Sequence, residues 1–552
     1  MNTSLFKKYR PFPQISLPDR QWPNRTIKTA PMWGSVDLRD GNQALPVPMN
    51  VSQKFGLFKA IVECGIKQIE VGFPSSSDTE FAFVRHLIEG GHIPDDVTIQ
   101  VLVQAREDLI ERTFQSLVGV KRVIIHVYNS TSPAQRRVVF GLDKPGIVQI
   151  ATRGVQWIKD KLPLLDGAQV TLQYSPESFS ATEMDFALHI CHAVMDVWQP
   201  TPENKIILNL PATVEVATPN VYADQIEWFI RNLRNRDSAI ISVHTHNDRG
   251  TGTAATELAL LAGADRVEGT FFGNGERTGN VDIVVVALNL FTQGIEPGLD
   301  FTDLNALREV YEQTTGMTVD PRHPYSGELV FTAFSGSHQD AIRKALAEWH
   351  KGGREVWDAP YLPIDPTDVG REYKEVIRVN GQSGKGGVAY LLENRFGIDL
   401  PKGMQREFGP IANRNIDMLG REVSADEIRT MFWAEYVERS SPWKFIHSDC
   451  SGDGKEFSAR VSRNGHEIEL RSSGNGPIDA LVQALLAQGV ARFKVEDFVE
   501  RALGSGESAS AIAYVCIELF GGEKFWGVGV DTNIKLAPMR ALLCALNRAS
   551  VA

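Results

Sequence analysis

The sequence predicts an α/β protein: a (β/α)8 (TIM) barrel, then helical linker subdomains and a C-terminal α+β domain. Three observations carry that expectation. Between residue 30 and about residue 280, short β-branched runs alternate with stretches whose apolar residues fall three and four apart, the periods of strand and helix. Eight such runs recur at intervals of about 25 to 40 residues, the rhythm of a barrel. Near residue 325 that rhythm stops, and from Trp443 onward strands and helices alternate again over a shorter span. A doubly wound open sheet is the alternative for the first region.

Taken in order, the candidate strands are 33–39, 68–73, 98–103, 123–128, 169–174, 206–210, 240–245 and 266–271, with helices such as 224–232 and 252–262 between them. Polar residues gather at or just past the strand ends: Arg39 and Asp40, Glu70, His126, Ser175 and Glu177, Asn209 and Thr213, His244 and His246. In a barrel that end builds the active site from several strands at once, which favours closure. The stretch 326–440 is charged and loop-rich, with the Pro-containing string APYLPIDPTDVG, and reads as small helical units. Beyond it, strands 457–462, 466–472, 511–520 and 524–532 and helices starting at Pro477, Val495 and Leu536 make a separate domain. The expected boundaries are therefore 1–325, 326–440 and 441–552.

Composition narrows the class. A chain of 552 residues has room for several domains, so a lone small binding module is excluded. Its charge is 57 − 68, or −11, with 43% hydrophobic and 23% charged residues, a profile that fits neither disorder nor a nucleic-acid surface. Cys64, Cys191, Cys450, Cys516 and Cys544 are scattered, never in a CxxC, and so suggest a reducing, cytoplasmic setting. The longest apolar run, 283–288, is far short of a membrane span. The first thirty residues are basic, but Pro11, Pro13, Pro18 and Pro23 interrupt any amphipathic presequence helix.

The chemistry concentrates in the string HTHND. His244 and His246, at i and i+2 on a strand, aim both imidazoles at one face and could hold a divalent ion, or could simply be hydrogen-bonded at a barrel mouth. Asp40 in LRDGNQ offers a third ligand, although Gly41 and Asn42 after it also suit a turn. Asn280 in GNGERTGN offers a neutral oxygen. Such mixed N/O ligation suits Mg²⁺, Mn²⁺ or Zn²⁺ alike. Arg39 beside the ion points to an anionic oxygen substrate such as an α-keto acid, and equally to an ion pair with Glu70. Glu177 and His126 are proton-transfer candidates that could instead be structural. GNGERTG and GQSGKGG lack the context of nucleotide-binding loops.

The strings VDLRDGNQAL, HVYNSTSPAQRRVVF, YSPESFSATE, HTHNDRGTG, RHPYSGELVFTAFSGSHQDAI and IRVNGQSGKGGVAYLL resemble the 2-isopropylmalate synthase family. That resemblance implies a metal-dependent Claisen-type condensation of acetyl-CoA with 3-methyl-2-oxobutanoate, followed by thioester hydrolysis. It implies metal ligation by Asp40, His244, His246 and Asn280, with a monovalent cation such as K⁺ as a possible helper, and catalytic roles for Arg39 and Glu177. It implies an acceptor pocket of Leu102, His126, Tyr128, Ser175, Asn209, Pro211 and Thr213. His338 and Tyr373 match residues that reach the neighbouring subunit's site, which implies a homodimer. Gly474, Gly476, Ile478, Val495, Phe498, Ala502 and Ala509 match a leucine-sensing pocket, and Glu507 and Ser508 depart from the pattern. The rivals are a homocitrate or citramalate synthase using another 2-oxo acid, and a catalytically idle amino-acid sensor. The intact metal set and Glu177 speak against the sensor.

Overall fold

Alternation along each strand run decides the architecture. Ile69 and Val71, Ile99, Val101 and Val103, and Val123, Ile125 and Val127 are completely buried on one face of their strands. The residues between them, Glu70, Gln100 and His126, meet one another across the interior. A sheet apolar on its outer face and joined across its inner face closes on itself. In the computed structural model, which describes residues 8–375, 385–419, 423–451, 456–490, 492–504 and 509–550, eight parallel strands do so. They are β1 (Met32–Ser35), β2 (Gln68–Gly72), β3 (Thr98–Gln104), β4 (Arg122–Ser130), β5 (Gln169–Glu177), β6 (Ile206–Ala212), β7 (Ala239–Thr245) and β8 (Arg266–Gly269), and β8 pairs back onto β1.

The surrounding helices are α1 (Val51–Glu63), α2 (Asp78–Glu89), α3 (Glu107–Leu117), α4 (Lys144–Lys161), α5 (Met184–Trp198), α6 (Pro219–Asn232), α7 (Gly252–Ala262), α8 (Ile283–Phe291) and α9 (Leu304–Thr315). Several start on side-chain caps: Asn50 and Gln53 form a capping box on α1, and Ser77, Asp143 and Asp303 cap α2, α4 and α9.

The first strand is shorter than its sequence suggests. It ends at Ser35, and Asp37–Gly41 forms one wide helical turn in which the Gly41 amide bonds to the Val36 carbonyl at 3.1 Å. Asp37 explains the break: its carboxylate accepts from the Phe271 amide at 3.0 Å and from Ser35 Oγ at 2.8 Å, tying the chain back across β8. Arg39 and Asp40 therefore sit on a turn, not on alternate faces of a strand.

Residues 1–331 and 363–373 form one compact unit, and 332–362 with 374–552 form another. The second contains the two-residue strands β9 (Thr332–Ala333) and β10 (Lys374–Glu375) and helices α10 (Gly336–Trp349), α11 (Lys385–Phe396), α12 (Lys402–Leu419) and α13 (Ala425–Tyr436). It ends in two antiparallel sheets, β11 (Trp443–Ser451), β12 (Glu456–Arg463) and β13 (His466–Ser472), then β14 (Phe493–Leu503), β15 (Ser510–Leu519) and β16 (Lys524–Asp531), each followed by a helix, α14 (Pro477–Ala487) and α15 (Ala537–Ala549).

The helix expected from Val495 is instead strand β14. Its apolar residues imitate helical spacing because a bulge between Val495 and Asp497 inserts one residue and returns Phe498 to the face of Val495. Trp443–Ser451 is likewise a strand that the sequence pattern missed.

Candidate active site

The C-terminal ends of the strands converge on a cavity of about 340 Å³. It is lined by Arg39 and Asp40 from the turn after β1, Leu102 and Gln104 from β3, and His126 and Tyr128 from β4. Ser175 and Glu177 of β5, Asn209 and Pro211 of β6, Thr213, and His244 and His246 complete it, with Gln43, Phe73, Glu276 and Arg277 as further lining. Period-two geometry accounts for the pairs on β3 to β7, since residues i and i+2 share a face.

Asp40, His244 and His246 each offer a ligand atom, all within 4.8 Å of one another. Asp40 Oδ2 lies 3.4 Å from His244 Nε2 and 3.8 Å from His246 Nε2. Asn280 brings Oδ1 to 2.8 Å from His244 Nε2. Behind this set, Glu268 accepts from His244 Nδ1 at 3.1 Å, which fixes the ring and aims Nε2 at Asp40 and Asn280. Two buried polar atoms at the cavity, His246 Nδ1 and Asn209 Oδ1, have no protein partner. Two nitrogens, a carboxylate and a carboxamide around one point, with Glu268 holding one ring from behind, fit a divalent cation.

The same groups also balance one another's charges. Burial opposes ionisation of Asp40, but the Arg39 guanidinium and then the contact from His244 outweigh it and hold the carboxyl well below the usual range. Burial also opposes charge on both imidazoles. For His244 the hydrogen bonds to Asp40 and Glu268 overcome it and push the pKa up to about 9, whereas burial and then the neighbouring His244 bring His246 down to about 4. A second grouping, Glu70, His126 and Glu268, is already balanced by arginines. Arg39 pairs with Glu70, and Arg266 pairs with Glu268 at 2.7 Å.

Several residues are held in defined donor or acceptor states. Arg39 spends Nε on Glu70 and Nη1 on Asp40 at 2.9 Å, so the rest of its donors remain for a ligand. His126 bridges Glu70 at 2.7 Å and Ser175 Oγ at 2.7 Å, and Asn209 Nδ2 donates to the same hydroxyl at 3.0 Å. Thr213 Oγ1 accepts from the Ser178 amide at 2.9 Å, which frees its proton for the cavity. Tyr128 Oη accepts from Gln104 at 3.1 Å, and Ser130 donates to Glu177.

Beneath the turn that carries Arg39 and Asp40 lies a buried ion pair. Lys54 Nζ, fully enclosed, sits 2.6 Å from Glu80, whose carboxylate also accepts from the Phe73 amide at 2.9 Å and from Asn42 at 3.3 Å. Asn42 in turn accepts from the Met49 amide at 2.7 Å. One pair of charges thus anchors the chain on both sides of the cavity's entrance from β1 and β2.

Not every expected residue lies here. Tyr373 ends the returning segment 363–373 and His338 belongs to α10, where it stacks on Tyr361 at 3.9 Å; neither lines the cavity. Gly474 and Gly476 precede α14, Ile478 is in its first turn, and Val495, Phe498 and Ala502 lie on β14. Ala509 immediately precedes β15. Glu507, Ser508 and the first part of GQSGKGG fall outside the described residues. Sequence reading missed Glu268, Gln100 and Gln173, which join Arg266 in the barrel interior; the i, i+2 spacing of Arg266 and Glu268 on a strand was their one signal. Among the described residues no helix is long and apolar enough to cross a membrane.

Comparison with known proteins adds to this geometry. Residues 30–310 match the HMGL-like family, 328–393 the alpha-isopropylmalate synthase post-catalytic domain-like family and 422–550 the LeuA allosteric (dimerisation) domain. The chain is 55% identical over 544 residues to a 2-isopropylmalate synthase of Pseudomonas syringae pv. syringae, covering 98% of this chain and 97% of that one. It is 55% identical over 552 residues to one from a Parafrankia species, covering 99% and 97%. It is 54% identical over 550 residues to one from Azotobacter vinelandii, covering 98% and 97%.

Proposed function

The chain belongs to the 2-isopropylmalate synthase family, and from that premise we propose that its barrel mouth condenses acetyl-CoA with 3-methyl-2-oxobutanoate and hydrolyses the thioester to give 2-isopropylmalate and CoA. The observation that carries this reading is the Asp40, His244 and His246 set opening into the cavity that Glu177 and Thr213 also line. Those three residues and Asn280 would hold a divalent cation, Mg²⁺ first and Mn²⁺ or Zn²⁺ by the same ligand chemistry, which would supply Lewis acidity to the acceptor.

The chain's own side chains do the rest. Arg39 points its spare donors at the oxygen that gains charge on addition, and being pinned by Glu70 and Asp40 it needs no reorganisation. Thr213 hydrogen-bonds the acceptor carboxylate, and Ser175 lines the pocket beside it. Leu102, Tyr128 and Pro211 pack on its isopropyl group, with His126 and Asn209 closing the polar side. Glu177 is the acid/base group, worth about 10² to 10⁴ in rate when positioned.

His338 and Tyr373 complete the site from a neighbouring subunit, so the working unit is a homodimer. Leucine acts as the effector through Gly474, Gly476, Ile478, Val495, Phe498, Ala502 and Ala509. A K⁺ ion assists, and the enzyme works in the cytoplasm on small molecules, without nucleic acid or membrane.

The test is a panel of 2-oxo acids with acetyl-CoA and detection of free thiol. The highest kcat/KM is expected with 3-methyl-2-oxobutanoate; faster turnover of pyruvate or 2-oxoglutarate would overturn the acceptor assignment. His246→Ala is expected to abolish metal-dependent turnover while leaving leucine binding intact.

A further inference from the structure

The loop between β8 and α8 is strained. Phe272 and Arg277 both hold left-handed backbone, with φ of 56° and 58°, although neither is glycine. Such conformations persist only where the surroundings impose them. Within the loop the fit is tight: a Cβ at Gly275 would meet Asn280 Nδ2 at 2.2 Å, and one at Gly279 would meet the Gly273 carbonyl oxygen at 1.8 Å. Asn280, folded into this loop, donates from Nδ2 to the Asn274 carbonyl at 2.9 Å and turns Oδ1 toward His244.

What imposes the strain comes from chain beyond the barrel. The Phe272 ring packs against Tyr311 of α9, with centroids 5.0 Å apart, and against His323 at 5.8 Å. His323 Nε2 lies 2.6 Å from Asp282 Oδ2, two residues after Asn280, an ion-pair distance without the alignment of a hydrogen bond. Asp282 Oδ1 caps α8 by accepting from the Val284 amide at 2.9 Å. His323 Nδ1 donates to the Pro324 carbonyl at 3.0 Å, so a hydrogen bond holds the ring on one side and the ion contact with Asp282 meets it on the other. The turn that carries His323 is fastened in its own right, for Arg371 donates to the carbonyls of Ser326 at 2.8 Å and Gly327 at 2.9 Å.

We infer that His323 is a positioning residue for the metal site: with Asp282 it latches the loop that presents Asn280. The segment ending at Arg371 and Tyr373 thereby bears on the metal through the turn at His323. This rests on the reading of Asn280 as a ligand. Without the latch, Phe272 relaxes out of the left-handed region and Asn280 Oδ1 leaves the point it shares with His244.

The test is Mn²⁺ binding to the full-length protein without substrates, followed by electron paramagnetic resonance. His323→Ala is expected to weaken Mn²⁺ binding about tenfold, and His323→Gln, which keeps an amide donor for Asp282, to recover part of that loss. Asp282→Asn keeps the helix cap but removes the charge, so it is expected to match His323→Ala with little change in Tm. The double variant is expected to be no worse than either single one. If Asn280→Ala weakens Mn²⁺ binding while His323→Ala and Asp282→Asn leave it within twofold, the latch is overturned and the metal site stands. If Asn280→Ala and His246→Ala also leave it unchanged, the ligand assignment falls with it.

Discussion

Asp37, buried between Ser35 and the Phe271 amide, is pushed up to about 7 by that burial, against the hydrogen bonds that favour its charge. The folded state thus binds this proton more tightly than the unfolded chain, whose aspartates titrate near pH 4. Its stabilising contribution is complete below about pH 4 and is lost as pH rises through 7, by up to about 1.4 kcal/mol per pH unit. Asp37→Asn removes that dependence. The Tm difference between variant and parent should shift in favour of the variant from pH 5.5 to 7.5, and a difference that stays flat would show Asp37 ionised throughout. Glu268 permits a second prediction. Because it orients His244 and pairs with Arg266, Glu268→Gln should weaken metal binding about 10- to 100-fold in a calorimetric titration.

These two residues also mark where sequence reading stops. Arg39, Asp40, His244 and His246 are legible as cavity residues because each stands in a short string at or just past the end of a strand run. Glu268 is not: the glutamine that bonds it, Gln100, is 168 positions away, and only barrel closure brings them together.

At the level of elements, the Lys54–Glu80 pair shows how α1 and α2 serve the site without touching the cavity. Deleting one member of a buried pair typically costs about 3 to 5 kcal/mol, because the other charge is left unpaired. Lys54→Met should therefore lower Tm sharply and slow turnover, and adding Glu80→Gln should restore much of the lost Tm. Equal losses in the single and double variants would assign the effect to packing instead. The eight barrel strands were legible because their apolar faces repeat with period two. β14 was not, because one bulged residue is enough to convert that period into the three-and-four spacing of a helix. The turn at Asp37–Gly41 was hidden for another reason: what ends β1 is a carboxylate reaching across to Phe271, a contact between residues 234 positions apart.

For the whole molecule, the proposed division of labour between barrel and C-terminal domain can be tested at two glycines. A Cβ at Gly474 would meet the Ala480 amide nitrogen at 2.6 Å, whereas one at Gly476 would meet nothing within 4 Å. Gly474→Ala should thus lower Tm as well as leucine sensitivity. Gly476→Ala should leave Tm unchanged and still lose leucine inhibition, since its methyl group would project into space the effector needs. Retained inhibition in Gly476→Ala would remove that glycine from the pocket.

The barrel floor has a consequence for descent. A Cβ at Gly34 would meet Arg266 Nη2 at 2.5 Å and Glu268 Cγ at 3.2 Å, so a larger residue there would have to displace the pair that Arg266 and Glu268 form. On the proposed reading of the pocket, selection for a different acceptor would work on the walls, at positions such as Leu102, Tyr128 and Pro211. On that reading, new acceptor preferences would arise by small steps at the walls while the floor keeps its packing.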